Sequence, residues 1–317
     1  METIISSVIK NAAELLRNGN VVAIPTETVY GLAGNALDAA CVSKIFEVKN
    51  RPFFDPLIVH IGSIEALEKY TEDVPEIAIE LAKTFWPGPL TLVLKRKSII
   101  PDLVTSGLET VAVRMPAHPI ALELLRSLDF PLAAPSANPF GYISPTTAQH
   151  VAAQLTGIIP MILDGGPCSV GLESTIVDCT SDKIRVLRAG GLSIEDIEKV
   201  AGKVEVAIGS SSNPSAPGML ESHYAPRKPL YLGNVEELKQ KFSNEKIAVL
   251  SFEKKYQEQN NLVLSVNGNL IESAQNLFAF LRQLDQLEVD IILAEEVPDT
   301  GLGKAINDRL RRAAINK

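Results

Sequence analysis

From residue 21 to about 208, short β-branched apolar runs alternate with stretches of helical periodicity, and this alternation limits the possible folds more than any other feature of the chain. The runs are VVAIP at 21, LIVHI at 57, LTLVL at 90, TVAVRM at 110, IIPMIL at 158, TIVDC at 175 and KIRVL at 183. Helices are expected between them: over 6–19 with Gly19 as the stop, over DAACVSKIFEVK behind an Asp38 cap, over TTAQHVAAQL from 146, and over SIEDIEKV behind Ser193. The pattern predicts an α/β domain with a large sheet whose strand order stays open. A stretch dense in Ser, Pro and Gly at 209–229 reads as a linker. After it, PLYLG, EELKQKF, KIAVLSF, NLVLSV, IESAQNLFAFLRQL, VDIILAEEV and KAINDRLRRAAINK repeat the alternation, which predicts a second, smaller α/β domain with an open, largely parallel sheet.

A chain of 317 residues with 46% apolar and 21% charged residues can bury two cores, and this composition excludes a mainly disordered protein. Its net charge is −8, and residues 1–208 carry 17 basic against 24 acidic side chains. That excludes a basic coat for bulk nucleic-acid or anionic-membrane binding, so any anion site must be local. No apolar run approaches the roughly 18 residues that cross a bilayer, and the amphipathic N-terminus with its early Glu2 is unlike a signal peptide, so the cytoplasm is expected. Cys41, Cys168 and Cys179 form no C-x-x-C pair and read as packing residues. His60, His118, His150 and His223 lack H-x-x-x-H spacing, so no protein-built metal cage is expected.

The standard phosphate fingerprints are missing. There is no G-x-x-x-x-G-K-[ST] and no strand-linked G-x-G-x-x-G, and neither G-x-S-x-G nor a spaced Ser/His/Asp set occurs. What remains is polar clusters at strand ends, where α/β proteins commonly hold ligands. Thr26-Glu27-Thr28 reads equally as a ligand loop or a turn. Lys49-Asn50-Arg51-Pro52 sets a point charge and a planar fork beside one turn, groups that suit phosphate, although a solvated turn has the same appearance. In Thr110-Val111-Ala112-Val113-Arg114-Met115, alternation puts Thr110, Ala112 and Arg114 on one face, leaving room for an anion on Arg114 or for a structural salt bridge. Ala133-Ala134-Pro135-Ser136-Ala137-Asn138 offers hydroxyl and amide groups, or turn chemistry. Glu173-Ser174-Thr175 and Arg188-Ala189-Gly190-Gly191 close the set, the glycines admitting an anion to the backbone or only ending a strand. Four cations and several hydroxyls in an acidic domain point to a multiply anionic small ligand.

Taken in order, P-T-E-T-V-Y-G-L at 25–32, K-N-R-P at 49–52, P-L-I-V-H at 56–60, W-P-G-P-L-T at 86–91, V-A-V-R-M-P at 111–116, A-P-S-A-N at 134–138 and E-S-T-I-V at 173–177 resemble the YrdC-like threonylcarbamoyl-AMP synthases. A-P-G-M-L-E-S-H-Y-A-P at 216–226 and the segment after it resemble the long form of that family. The resemblance implies a YrdC-like catalytic domain with a large twisted mixed sheet at 1–208, a linker or lid at 209–229, and a smaller Rossmann-like α/β domain at 230–317.

It also implies condensation of L-threonine, bicarbonate and ATP to threonylcarbamoyl-AMP and pyrophosphate, the activated donor for N6-threonylcarbamoyladenosine in tRNA. The product would pass to a separate tRNA threonylcarbamoyl transferase complex, with no stable tRNA binding and no membrane partner. By the same resemblance, threonine would lie on Thr26, His60, Arg114, Ala134 and Ser174, and ATP on Lys49, Phe53, Thr110, Ser136, Asn138, Ser144 and Arg188. Lys49, Arg51 and Arg114 would carry the catalytic charge. Glu221, His223 and Tyr224 would belong to the lid, with Glu221 standing where some long-form members have Tyr. Mg2+ would accompany ATP through its phosphates, with no organic prosthetic group. A competing reading is an RNA-binding or ribosome-associated module without ATP turnover, against which the acidity of 1–208 counts. A carbamoyl-transfer maturation enzyme with a related domain would bring paired-cysteine zinc fingers, which this sequence lacks.

Overall fold

The computed structural model describes residues 2–208, 224–258 and 260–314. Eleven strands of the described chain join in one mixed sheet: β1 (Ile4–Ser6), β2 (Val22–Ile24), β3 (Gly31–Asn35), β4 (Ile58–His60), β5 (Leu90–Lys95), β6 (Thr110–Arg114), β7 (Leu132–Ala133), β8 (Met161–Leu163), β9 (Thr175–Asp178), β10 (Arg185–Arg188) and β11 (Glu205–Val206). Their spatial order is β1-β8-β2-β3-β7-β4-β6-β5-β9-β10-β11. The second sheet holds β12 (Leu230–Leu232), β13 (Ile247–Ser251), β14 (Asn261–Val263) and β15 (Ile291–Ala294) in the order β12-β15-β13-β14, parallel throughout. The large sheet and the smaller parallel one are as the alternation predicts, and the mixed pairing of the large one is as the resemblance implies.

The helices are α1 (Ile9–Arg17), α2 (Ala39–Lys49), α3 (Leu67–Tyr70), α4 (Glu76–Phe85), α5 (Asp102–Thr105), α6 (Pro119–Ser127), α7 (Ala148–Leu155), α8 (Ile194–Ala201), α9 (Val235–Lys241), α10 (Leu270–Gln286) and α11 (Gly303–Ala313). Three of the large part's helices start on side-chain caps: Asp38 accepts from the amides of Ala40 and Cys41, Thr147 from His150, and Ser193 from Asp196. The helix expected from residue 6 begins at Ile9, because Ile4–Ser6 pairs with β8 at the sheet edge instead. The strand GLAGN (β3) escapes a reading by β-branched content, since it has none and is held by its neighbours β2 and β7.

The central strands divide their residues between two faces. Val59, Leu92, Leu94, Val111, Val113 and Val177 enter the main core, whereas Ile58, Val93, Ala112, Ile176 and Leu187 form a small apolar cluster on the other face. The second core crosses between the sheets, joining Val29, Ile143, Leu172 and Ala189 of the large part to Tyr224, Leu277, Phe278, Leu281 and Ile306. Arg282 of α10 extends this junction. It donates to the Ser144 carbonyl (3.2 Å), the Ile143 carbonyl and Gln154 Oε1 (2.9 Å), and its guanidinium lies 5.0 Å from the Tyr142 ring centroid. Helices α10 and α11 are thus docked against loops of the large part. Cys41, Cys168 and Cys179 are buried and unbridged.

Candidate active site

Asn50 closes α2 in the left-handed region (φ 51°), with its amide on Glu47 O and the Arg51 amide on Phe46 O (3.0 Å). This closure separates the tasks of the two cations beside it. Lys49 is buried and donates to the carbonyls of Ser136 (2.5 Å) and Asn138 (2.6 Å), so it ties the A-P-S-A-N turn to α2. Arg51 lines the pocket, anchored by Nε to Asp55 O (3.0 Å), by Nη2 to Pro56 O (2.8 Å) and by the Asp55 carboxylate at 2.8 Å. Burial lowers the proton affinity of Lys49 and Arg51 and raises that of Asp55, while the neighbouring Arg51 charge lowers Lys49 further.

The pocket floor comes from the face opposite the main core, where Ile58 and His60 of β4 pair in register with Ala112 and Arg114 of β6. Burial first, and Arg114 second, push the His60 imidazole down to about 3, so it is neutral at working pH. Arg114 donates from Nη2 to Glu27 Oε1 (2.5 Å), from Nη1 to Thr28 Oγ1 (2.9 Å) and from Nε to Gly88 O (3.3 Å). Three of its five N–H donors are therefore engaged, and a ligand carboxylate would share the guanidinium with Glu27. Glu27 Oε2 is buried without a hydrogen-bond partner.

The remaining wall is built from Glu173, Ser174 and Arg188. Ser174 and Thr91 share a hydroxyl hydrogen bond of 2.7 Å, and Arg188 donates to Ser174 O from Nη2 (2.9 Å) and to Ser174 Oγ (3.1 Å). Glu173 accepts the Ser144 hydroxyl at Oε1 (2.6 Å) and Arg309 Nε at Oε2 (2.9 Å). Three arginines and the hydroxyls of Thr26, Thr28, Ser136 and Ser174 thus face one cleft of mostly buried side chains, an arrangement able to hold a carboxylate and phosphates close together. Among the described residues no group of three or more His, Cys, Asp or Glu could hold a metal ion. The carboxylates of Glu27, Asp55 and Glu173 each face an arginine instead.

All five residues expected to hold threonine (Thr26, His60, Arg114, Ala134 and Ser174) line this pocket, as do Arg51, Ser136 and Arg188. Lys49, Asn138 and Ser144 are buried behind it. Thr110 lies on the floor's face at the other end of β6, opposite Lys95. Phe53 is exposed beside Phe46, ring centroids 5.1 Å apart. Tyr224 is buried and lines the pocket, whereas Glu221 and His223, with the rest of 209–223, lie outside the described residues. Sequence reasoning placed Glu173 and Thr28 in candidate polar clusters but assigned neither a substrate, and it gave no role to Arg309, whose only signal is a basic cluster in a terminal helix. No described helix is long and apolar enough to cross a membrane.

The sequence model of the family described as "Telomere recombination" matches residues 14–190, and that of "Threonylcarbamoyl-AMP synthase, C-terminal domain" matches 192–315. The chain is 46% identical to the threonylcarbamoyl-AMP synthase of Pyrococcus abyssi, covering 96% of this chain and 94% of that one. It is also 46% identical to that of Bacillus subtilis, covering 96% and 92%. A crystal structure of P. abyssi Sua5 complexed with L-threonine superposes with a TM-score of 0.93 at 45% identity, covering 98% of each chain.

Proposed function

Since the chain belongs to the long-form YrdC-like threonylcarbamoyl-AMP synthases and condenses L-threonine, bicarbonate and ATP to threonylcarbamoyl-AMP and pyrophosphate, we propose that the arginine-lined pocket is where this reaction runs. The relatives support this activity and not the RNA-binding module. The observation that carries the placement is Arg51, Arg114 and Arg188 lining one hydroxyl-rich cleft in a chain of net charge −8.

The threonine amine attacks bicarbonate with loss of water, or carbon dioxide derived from it with loss of the amine proton. The resulting N-carboxylate attacks the α-phosphorus of ATP, and pyrophosphate leaves. Nearly every partner is an anion, so the protein's main work is to hold negative charges together in a fixed geometry. In this reading threonine, the ligand bound by the structurally similar P. abyssi protein, lies on Thr26, His60, Ala134 and Ser174 with its carboxylate on Arg114. ATP extends over Ser136 and Arg188 toward Phe53 and Thr110. Arg51 offsets phosphate charge directly, and Lys49, Asn138 and Ser144 act from behind by holding the walls. Mg2+ accompanying ATP would be held by phosphate oxygens and water, because the nearby carboxylates of Glu27, Asp55 and Glu173 already face arginines. Residues 1–208 form the catalytic domain, 209–229 the linker that brings Tyr224 to the pocket, and 230–317 the small domain. The product goes to a separate transferase in the cytoplasm.

Pyrophosphate release measured with ATP, threonine and bicarbonate, each omitted in turn, tests the reading. Release should need all three, and threonine dependence should weaken in an Arg114 variant that still folds. A folded Arg114 variant with unchanged threonine dependence would remove the pocket assignment.

A further inference from the structure

One side chain of the small domain reaches the pocket wall. Arg309 of α11 is completely buried, yet it lies among polar groups. Its Nε donates to Glu173 Oε2 (2.9 Å), Nη2 to Ala189 O (2.9 Å) and Nη1 to Asp308 Oδ2 (2.5 Å), and its Cζ stands 4.9 Å from the Tyr224 ring centroid. Two of these partners, Glu173 and Tyr224, line the pocket, and Ala189 follows the lining residue Arg188. Tyr224 is packed from another side by Phe278 of α10, ring centroids 5.7 Å apart.

Glu173 is an awkward group in a site for anions. Left unneutralised, its carboxylate would repel incoming phosphates or draw Arg188 away from Ser174. Arg309 offsets that charge and fixes one oxygen, which leaves the other to receive the Ser144 hydroxyl at 2.6 Å. The planar fork reaches Glu173 and the Ala189 carbonyl at once, which a lysine cannot do with one ammonium point charge in the same geometry.

We propose that Arg309 is a positioning residue for the nucleotide end of the synthase reaction, acting through Glu173 and Tyr224, so that the small domain completes the pocket as well as carrying the linker. This rests on the pocket being the site of the reaction. A contact that merely docks the two domains would support folding and leave turnover of the folded enzyme alone. The Lys304–Glu195 bridge between α11 and α8, 2.7 Å long and outside the pocket, supplies the comparison.

The experiment measures kcat and the KM for ATP and for threonine in the full chain, well below each variant's melting temperature, for Arg309→Lys, Arg309→Met, Glu173→Gln, their pairs and Lys304→Ala. The Arg309 variants should lose on the order of tenfold to a hundredfold in kcat/KM for ATP, with a smaller change in the threonine KM. The pairs with Glu173→Gln should lose no more than the worse single variant, because both act through one contact. Lys304→Ala should keep wild-type kinetics. Should Arg309→Met fail to fold, Arg309→Lys and its pair with Glu173→Gln make the same comparison. Arg309→Lys with wild-type kcat/KM for ATP would overturn the proposal, as would losses that multiply with those of Glu173→Gln. If the pocket itself were misassigned, Arg114 variants would also keep their threonine dependence, which separates the two failures.

Discussion

His60 and Arg114 are register partners on the adjacent parallel strands β4 and β6, so an imidazole and a guanidinium stand side by side on the pocket floor. The pair explains why the imidazole is held neutral: burial and the neighbouring cation push it down from 6.5 to about 3. Above pH 6.5 the folded and unfolded chains both carry neutral His60. As pH falls from 6.5 toward 3 the unfolded chain takes up a proton that the fold refuses, so this group removes stability across that window. His150, pushed by burial to about 4, acts in the same direction. The melting temperature should therefore drop between pH 7.5 and 5, and drop less in His60→Gln. The wild-type threonine KM should show no histidine step between pH 6 and 8. Parallel melting curves for the two proteins, or such a step, would remove the neutral-imidazole account.

Arg114 has two duties that different variants separate. Arg114→Ala takes a carboxylate partner from threonine, which should cost about 2 to 4 kcal/mol of transition-state stabilisation. It also strands the buried Glu27 carboxylate, which should cost about 3 to 5 kcal/mol of fold stability. Adding Glu27→Gln to Arg114→Ala should restore much of the melting temperature and none of the threonine turnover. Denaturation midpoints and threonine KM values on the single and double variants check this. Recovery of turnover in the double variant would show that Arg114 serves only Glu27.

The residues of the pocket were legible where one strand or one turn carries the whole signal. Alternation along β6 alone put Arg114 and Ala112 on one face, and the register with β4 adds His60 to it. Asp38, Thr147 and Ser193 announced their helices because capping depends on a few adjacent residues. The partners of those pocket residues were not legible, because they come from distant parts of the chain. Glu27 meets Arg114 across 87 positions, and Glu173 meets Arg309 across 136. A sequence can show that R-L-R-R is basic and helical, but not that its first arginine is buried against another domain. Likewise β3 and β7 are too short or too poor in β-branched residues to stand out, and their neighbours in the sheet define them.

Asn50 is the conformational hinge of the K-N-R-P motif, since α2 can close there only with a residue that tolerates positive φ. Asn50→Gly should keep the closure and stay within about 1 kcal/mol of wild type. Asn50→Val places a β-branched residue in the left-handed region and should cost about 1 to 2 kcal/mol. The backbone carbonyl of Lys49 receives the Phe140 amide at 2.8 Å, and its ammonium holds Ser136 and Asn138, so the strain should also reach the nucleotide side. A raised ATP KM in the Val variant with the Gly variant near wild type is the expected result. Equal KM values in both would detach this turn from the nucleotide.

Gly190, the first glycine of R-A-G-G, is required by close approach. A methyl group there would sit 2.5 Å from the Ser174 carbonyl carbon and 2.6 Å from its oxygen, and against the Glu173 carbonyl oxygen as well. These are backbone atoms of the pocket wall, so no side-chain rotation relieves the overlap, and either the segment at 188–191 or the one at 173–175 must move. Each choice disturbs a group proposed to touch substrate. Arg188 reaches Ser174 O and Oγ across this same gap, and the Gly191 amide donates to Glu173 O at 2.8 Å. Gly190→Ala should therefore lower stability by about 1 to 3 kcal/mol through overpacking. It should also reduce kcat/KM for both threonine and ATP, because Ser174 and Arg188 shift together. The exposed Gly202, whose added methyl would meet nothing within 4 Å, has φ of 70° and is a control for strain without collision. Its alanine variant should lose stability through backbone conformation and keep turnover. Melting temperatures and substrate titrations on the two variants decide the matter, and a Gly190→Ala enzyme with wild-type kinetics would show that the wall yields without moving Ser174.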